Sequence, residues 1–260
     1  MSPLYTPGKV VLRKESVPFD YDAWQYIAAV EQADGQILEQ PVRDAITNFV
    51  LGCKADGIWN AIKASCILAG ARTLSGALVP LVGTAPTNVS GLFVAGDYNR
   101  ETGLVGDGST KYLNCNRNNN ADPQDNQHIA LSWTPSAESP VISSDDSGAT
   151  NGMSLVTLSN SRSRTATNTL YTATGSFVGM SRSSASTFNI RYDGTTNASN
   201  IASATPTSSP ILAYRFKTFG GSIVYSSARL TFYSIGEFLD LAALDTRVSD
   251  LITAIGAAIP

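Results

Sequence analysis

His128 and a scatter of acidic residues are the side chains in this sequence that could serve acid–base catalysis. His128 is the only histidine, and it stands at the start of a predicted strand with no Gly-x-Ser-x-Gly elbow nearby. A Ser-His-Asp site needs an imidazole between a hydroxyl and a carboxylate, and no local spacing supplies that arrangement. The sequence therefore predicts no catalytic residue of this kind.

Paired carboxylates are the second route to catalysis, since polysaccharide-cleaving enzymes use two acids that face one cleft. No Glu occurs between Glu138 and Glu237, and no predicted strand carries an alternating acidic ladder. The remaining acids lie in or beside turn-rich loops, so we predict that the chain is not an enzyme. Polysaccharide cleavage is the remoter alternative, with candidate acids Asp122, Asp125, Asp145, Asp146 and Asp193.

Metal and cofactor sites have little support in the sequence. Residues 114–125 supply many Asn and Asp oxygens, which calcium prefers, but the same residues are ordinary in turns. The motif Gly106-x-Gly108 lacks the Lys-Ser/Thr and the helix of a phosphate loop. We predict no bound metal and no cofactor, while the sequence leaves a calcium loop open as the alternative.

The three cysteines form neither a zinc pattern nor a disulfide framework, because their number is odd and no CxxC pair occurs. Cys53 and Cys66 lie in apolar, helix-like surroundings, so we predict buried thiols there. Cys115 lies in a polar loop or at a strand end, and its environment is left open.

Charge and hydropathy exclude two classes of partner. The formal net charge is −3 and the basic residues are scattered, which does not suit binding to a phosphate backbone. No apolar run reaches the roughly 18–20 residues of a membrane helix, and the N-terminal segment has no apolar signal region. We expect no nucleic-acid partner, no membrane insertion and synthesis in a cytoplasm.

Composition changes near residue 84, where Ala, Ile and Leu give way to Ser, Thr, Asn and Gly. We predict four parts: an extended arm over 1–20, a helical region over 21–83, a β domain over 84–239 and a C-terminal helix over 240–260. The arm contains Pro3, Pro7, Gly8 and Pro18. Such a segment either reaches a neighbouring subunit or forms a disordered terminus.

Three helices are predicted in the second part. The first covers about 22–33, is capped by Asp20 or Asp22, and turns an apolar stripe of Trp24, Ile27 and Ala28 inward. The second begins near Glu39 and ends or frays at Gly52; the third covers about 56–69. We expect the three to pack as a bundle with both Trp24 and Trp59 in its core.

Short segments with a period of two, separated by turn residues, predict an antiparallel sandwich from about residue 92. In residues 128–134 the odd positions are apolar and the even ones small or polar, which predicts one buried and one outward face. The pattern recurs in three sets, namely Phe188, Ile190 and Tyr192; Leu212, Tyr214 and Phe216; and Leu230 and Phe232.

From Asp240 the pattern is helical again, with apolar residues spaced three and four apart. We expect this helix to pack onto the sandwich, whereas a short coiled-coil seam is the alternative. The apolar residues are Leu241, Leu244, Val248, Leu251 and Ile255.

The segment GLVGDGSTKYL at 103–113 is followed by a polar loop and the strand at 128–134, and the segment ARLTFYSIG at 228–236 is followed by a helix. These two segments resemble the ends of a concanavalin A-like jelly roll of the laminin-G or pentraxin type. The resemblance implies a mainly β fold, an antiparallel jelly-roll sandwich preceded by a small helical region and closed by a C-terminal helix.

The segments KADGIW at 54–59, LAGAR at 68–72 and ALVPLV at 77–82 are similar to a module that precedes lectin-like domains in virion proteins of tailed bacteriophages. The resemblance implies a virion structural protein. Its arm and helices would bind other virion proteins, and it would form a homo-oligomer, with a trimer favoured. We expect a tail-fibre or receptor-binding role on host surface glycan, through residues that the sequence does not identify. A capsid decoration or head-fibre protein is the first alternative, and a free-standing lectin is another.

Overall fold

The structure is a computed structural model, and it describes residues 17–136, 138–146, 151–156, 160–165, 167–218 and 220–259. Most of the predicted arm, residues 1–16, lies outside the described residues. The described chain is mainly β, with antiparallel sheets and four α-helices. None of its helices combines the length and the apolar character needed to cross a membrane.

The helices are α1 (Tyr21–Asp34), α2 (Gln40–Ala55), α3 (Leu74–Ala77) and α4 (Leu241–Ala258). The strands are β1 (Ile62–Ile67), β2 (Pro80–Val82), β3 (Thr87–Asn88), β4 (Tyr98–Asn99), β5 (Gly103–Val105), β6 (Leu113–Asn118), β7 (Gln127–Trp133), β8 (Val141–Ser144), β9 (Met153–Val156), β10 (Asn160–Ser163), β11 (Thr169–Leu170), β12 (Phe177–Arg182), β13 (Phe188–Tyr192), β14 (Thr195–Ser199), β15 (Pro210–Ala213), β16 (Arg215–Lys217), β17 (Ile223–Tyr225) and β18 (Arg229–Gly236).

The strands form two large antiparallel sheets and one short ribbon. The first sheet has the order β14-β13-β12-β7-β18-β1-β2, with β5 added on β18 and β4 on β5. The second sheet has the order β11-β10-β9-β8-β15-β6-β3, and β16 pairs with β17 in the ribbon. An apolar core between the two sheets includes Ile129, Leu131, Ile142 and Tyr233. The sheets therefore pack face to face.

The helices cover the outer face of the first sheet. A second apolar core joins residues of α1, α2 and α4 to Ala130, Phe177 and Phe232 of that sheet. Phe49 of α2 meets Phe232 edge-on, with ring centroids 5.7 Å apart. The first sheet is thus buried on both faces, which explains why all seven residues of β7 are buried. The prediction that one face of this strand points outward was therefore wrong.

The third predicted helix was also wrong, because the chain there forms a single 3-10 turn at Trp59–Ala61 followed by β1. β1 pairs antiparallel with β18, for example Ser65 with Ser234 and Ile67 with Phe232. The region predicted as helical over 21–83 therefore contributes β1 and β2 to the first sheet. Trp59 is only partly buried, and the Lys54 ammonium lies 5.7 Å from its ring centroid.

The first two helices form where the sequence predicted them, with differences in detail. Asp20 caps α1 by accepting from the amides of Asp22 and Ala23. Of the predicted inward stripe, Ile27 is buried, but Trp24 is 53% exposed and Ala28 is exposed, so the stripe was wrong for these two residues. The buried residues of α1 are Ala23, Tyr26, Ile27, Val30 and Asp34. α2 continues past Gly52, where a side chain would lie within 2.7 Å of Arg247, so this glycine permits close packing of α4.

α4 packs within the chain, against α2 and the first sheet. All five residues of its three–four repeat are at most 2% exposed. This confirms packing over the coiled-coil alternative, and no seam is left free for other copies along these residues. A trimer stays a prediction, without support from this helix.

The predicted strands at 188–192 and 229–236 are confirmed as β13 and β18. The segment from Leu212 to Phe216 is divided into β15 and β16 by Tyr214, whose φ of 70° interrupts the extended backbone. Tyr214 is fully buried, and its hydroxyl donates to the Leu104 carbonyl at 2.6 Å. After this break β16 pairs with β17 in a separate two-stranded ribbon, although the Ser143 hydroxyl of β8 still donates to the Arg215 carbonyl of β16 at 2.7 Å.

Candidate functional site

His128 lies on the outer face of the first sheet beneath the helices, and it has no accessible surface. Its Nδ1 atom is 2.5 Å from the Glu237 carbonyl oxygen, and its Nε2 atom is 2.7 Å from the Ser234 hydroxyl. Since a carbonyl only accepts, Nδ1 donates the proton and Nε2 accepts from Ser234. Both ring nitrogens are therefore used within the fold, and neither faces a cleft.

Burial lowers the pKa of His128 to about 4 from an ordinary value of 6.5. Between these pH values the unfolded chain binds a proton that the folded chain does not. We expect the free energy of unfolding to fall by about 3 kcal/mol as the pH drops from 6.5 to 4, in addition to other titrating groups. Urea unfolding of the wild type and of a His128→Gln variant across this range measures the effect.

The His128→Gln variant serves as the internal reference, because every other group titrates in both proteins. The difference in unfolding free energy between wild type and variant should narrow steadily from pH 6.5 to pH 4. A difference that stays constant over this range would contradict a buried neutral imidazole.

Each of the five candidate acids has a hydrogen-bond or ion-pair partner of its own within the described chain. Asp145 pairs with Arg215 at 2.9 Å, and Asp146 accepts from the Thr207 hydroxyl. Asp193 accepts from the amides of Thr174 and Gly175. The structure therefore assembles no pair of free carboxylates from these residues.

The segment 114–125 forms β6 and a turn whose acidic groups are already occupied. Asp122 pairs with Arg117 through both carboxylate oxygens, and Asp125 accepts from Ser203 at 2.5 Å. Among the described residues, no group of three or more His, Cys, Asp or Glu side chains could hold a metal ion. The geometry of this segment is that of a turn braced by one ion pair and a side-chain hydrogen bond.

Two buried arginines, Arg164 and Arg182, lie at one end of the core between the sheets. We call this end of the molecule, together with the loops that the two arginines contact, the arginine end. Arg164 is 1% exposed and donates to Asn119 Oδ1 at 3.1 Å and to the Gln124 carbonyl at 3.0 Å. It also donates to the carbonyls of Asn119 and Pro123. Burial lowers its pKa to about 10, and the carboxylate of Asp122 opposes this shift. Arg164 thus fixes the loop at 119–124 by four acceptors.

Arg182 plays the same part for the loops on the other side of the arginine end. It has no accessible surface, and it donates to Ser163 Oγ at 3.2 Å and to the Ser163 carbonyl at 3.0 Å. Further donations reach the carbonyls of Ser184, Thr187 and Ile201, at 2.9, 3.1 and 3.0 Å. Its guanidinium lies 5.2 Å from the Phe188 ring centroid. One side chain therefore joins β10, β12 and two loops.

The loops at the arginine end are also braced to one another at the surface. Gln124 Nε2 donates to Ser203 Oγ at 2.8 Å, and Thr205 Oγ1 donates to Gln124 Oε1 at 3.1 Å. The outermost residues are small and uncharged, with hydroxyl, amide and methyl groups. They are Asn120, Ala121, Ser183, Ala185, Ser186, Asn200, Ala202 and Thr205. This end presents a rigid polar surface without exposed charge at these positions.

All three cysteines are buried, which confirms the prediction for Cys53 and Cys66 and settles Cys115. Burial raises the pKa of Cys53 and of Cys115 to about 12, and that of Cys66 well above its ordinary value. The Cys66 thiol contacts the carbonyls of Ala77 and Val79 at 3.0 and 3.2 Å. These thiols are packing groups and not reactive ones.

Sequence reasoning missed the buried arginines, because arginine is rarely buried without a partner. A weak signal existed for Arg182, which continues the alternation of Val178 and Met180 toward the inter-sheet core. No protein-family model matches this chain, and no curated protein matches its sequence.

Proposed function

We propose that this chain is a non-catalytic structural protein of a tailed-phage virion. In this proposal the helices and the N-terminal segment bind other virion proteins, and the arginine end faces outward and contacts host surface glycan. The observation that carries the proposal is the arginine end itself, where two buried arginines hold several loops in one arrangement. Such an arrangement lowers the entropy cost of binding a ligand on loop residues.

The proposed fold class is a concanavalin A-like jelly roll. Two face-to-face antiparallel sheets support it, as does the position of β18 beside β7 and β1 in the first sheet. The chemistry of the outer surface also supports a glycan ligand, because uncharged hydroxyl and amide groups exchange hydrogen bonds with sugars without desolvating a full charge. The occupied ring of His128 favours a binding role over hydrolysis.

The first test locates the protein on intact particles by immunogold electron microscopy. Gold on the tail tip or fibres is the expected result and supports host recognition. Gold over the head would replace the receptor-binding role with capsid decoration or a head fibre, and absence from purified particles would overturn the virion proposal.

The glycan contact is tested separately with the purified, fluorescently labelled chain on host cells. Ala202→Arg places a bulky charge on the arginine end without removing a hydrogen bond, and we expect it to reduce cell binding at least tenfold. Ala55→Arg is the matched control, since Ala55 is an exposed alanine at the end of α2. Equal binding by both variants and the wild type would contradict the assignment of this surface.

A further inference from the structure

The outward face of α1 carries one charged side chain, Asp22, which is 43% exposed and paired with Lys54 at 2.6 Å. Its exposed residues are Tyr21, Trp24, Gln25, Ala28, Ala29, Gln32 and Ala33, and the exposed Phe19 precedes the helix. A solvent-facing helix surface normally carries charged side chains opposite its apolar stripe. The composition of this face is typical of a surface that contacts protein.

Every charged residue of α1 is engaged by partners in its own chain. Asp22 pairs with Lys54 at 2.6 Å, and Glu31 pairs with Arg43 at 2.5 Å. Asp34 accepts from the amides of Arg72 and Thr73 at 2.7 and 2.9 Å. Each acid of α1 is therefore already paired within its own chain, and the outward face presents no unpaired charge from this helix.

Three large aromatic side chains extend from the N-terminal half of this face. Phe19, Tyr21 and Trp24 are 75%, 58% and 53% exposed, and the rings of Tyr21 and Trp24 stack at 5.9 Å with an interplanar angle of 29°. With roughly 150–250 Å² per aromatic side chain, their exposed portions amount to about 280–465 Å². That is about a third to somewhat more than half of the roughly 800 Å² that each partner contributes to a stable interface.

We propose that this face pairs with the α1 face of a second copy of the chain, antiparallel and about a two-fold axis near Ala28. The large residues lie in the N-terminal half and the small ones in the C-terminal half, so antiparallel packing places Tyr21 and Trp24 of one copy over Ala29 and Ala33 of the other. The contact is self-complementary in size, as a two-fold interface requires.

The charges on this face also favour a second copy of the chain as its partner. Two identical charged faces repel each other, whereas on this face the one exposed acid, Asp22, is already paired with Lys54, so little like-charge repulsion opposes self-association. The antiparallel arrangement also places the positive end of each helix dipole beside the negative end of the other. The inference does not depend on where the protein resides, and it replaces the three-fold association expected from the sequence with a two-fold one.

Light scattering on the purified full chain tests the pairing across a concentration series. The expected mass is about 55 kDa, twice the chain mass of 27.4 kDa. Trp24→Glu should raise the dissociation constant at least thirty-fold, the effect of losing a central aromatic anchor. Leu170→Glu is the control, because Leu170 is 78% exposed outside α1 and its loss should leave the dimer unchanged.

A monomer at all concentrations, a trimer, or a dimer unaffected by Trp24→Glu would each overturn the proposal. Circular dichroism of the variant confirms that it is folded. A second measurement avoids the loss of an aromatic: Ala28→Cys near the axis should form a disulfide-linked dimer under mild oxidation, whereas Ala55→Cys should not. The native cysteines are buried and do not compete. If the dimer tests fail but immunogold labelling still locates the protein on virus particles, the pairing of α1 is overturned and the virion proposal is not.

Discussion

Replacing Arg182 with methionine is expected to lower the free energy of unfolding by about 3–5 kcal/mol, the upper range for one substitution. Methionine fills much of the space but donates no hydrogen bond. Acceptors on Ser163, Ser184 and Thr187, and the Ile201 carbonyl, would lose their partner at the arginine end. Urea unfolding followed by circular dichroism measures the change.

Arg247→Met is the matched control, because it removes the same side chain from a surface position. Arg247 pairs with Asp56 at 2.6 Å, and the side chains of Arg247 and Asp56 are 32% and 27% exposed. Exposed pairs contribute about 0–1 kcal/mol, so this variant should remain near wild type. Equal losses for the two variants would show that Arg182 does not brace the loops.

A chain that starts at residue 84, the predicted start of the β domain, is expected not to fold as a soluble monomer. It lacks β1, which lies between β18 and β2, and it lacks α1 and α2 over the outer face of the first sheet. Phe232 and Ala130 would be exposed, together with the unpaired edge of β18, which invites aggregation. The soluble yield and the circular dichroism spectrum measure the outcome.

The control for this truncation is a chain that starts at Val17, which keeps every described strand and helix. A soluble chain from residue 84 with a cooperative unfolding transition would show that the β domain is independent, as the composition of the sequence suggested. Rescue of solubility by adding the fragment 17–83 would support the proposed role of β1.

The error at β1 has a physical origin. Ile58, Ile62 and Cys66 are spaced four apart and suggested a helix, but a strand covered on both faces also reads as a nearly continuous apolar run. Burial on both faces depends on α2 and on the opposite sheet, neither of which is visible in the local pattern. The strand at β13 was predicted correctly because its two faces differ, with Phe188 and Ile190 inside and Asn189 half-exposed.

The candidate site was the least predictable part. Turn residues at 114–125 and the absence of an acidic ladder were readable from the sequence, since each depends on nearby residues. Arg164 acquires its role only when a loop about 45 residues away delivers carbonyl oxygens to it, and Arg182 combines nearby carbonyls with that of Ile201, 19 residues away. Likewise, Trp24 was expected inside because it is large and apolar, but α1 buries the face that carries Tyr26 and Val30 and leaves Trp24 outside.

The antiparallel pairing of β1 with β18 also constrains how the protein folds. These strands are about 170 residues apart in the chain, so the first sheet closes only after nearly the whole chain has left the ribosome. Contacts at such sequence separation slow the search for the native state. The edges of β7 and β1 that pair with β18 therefore stay unpaired during synthesis. We expect refolding to take milliseconds to seconds, with a yield that declines as chain concentration rises.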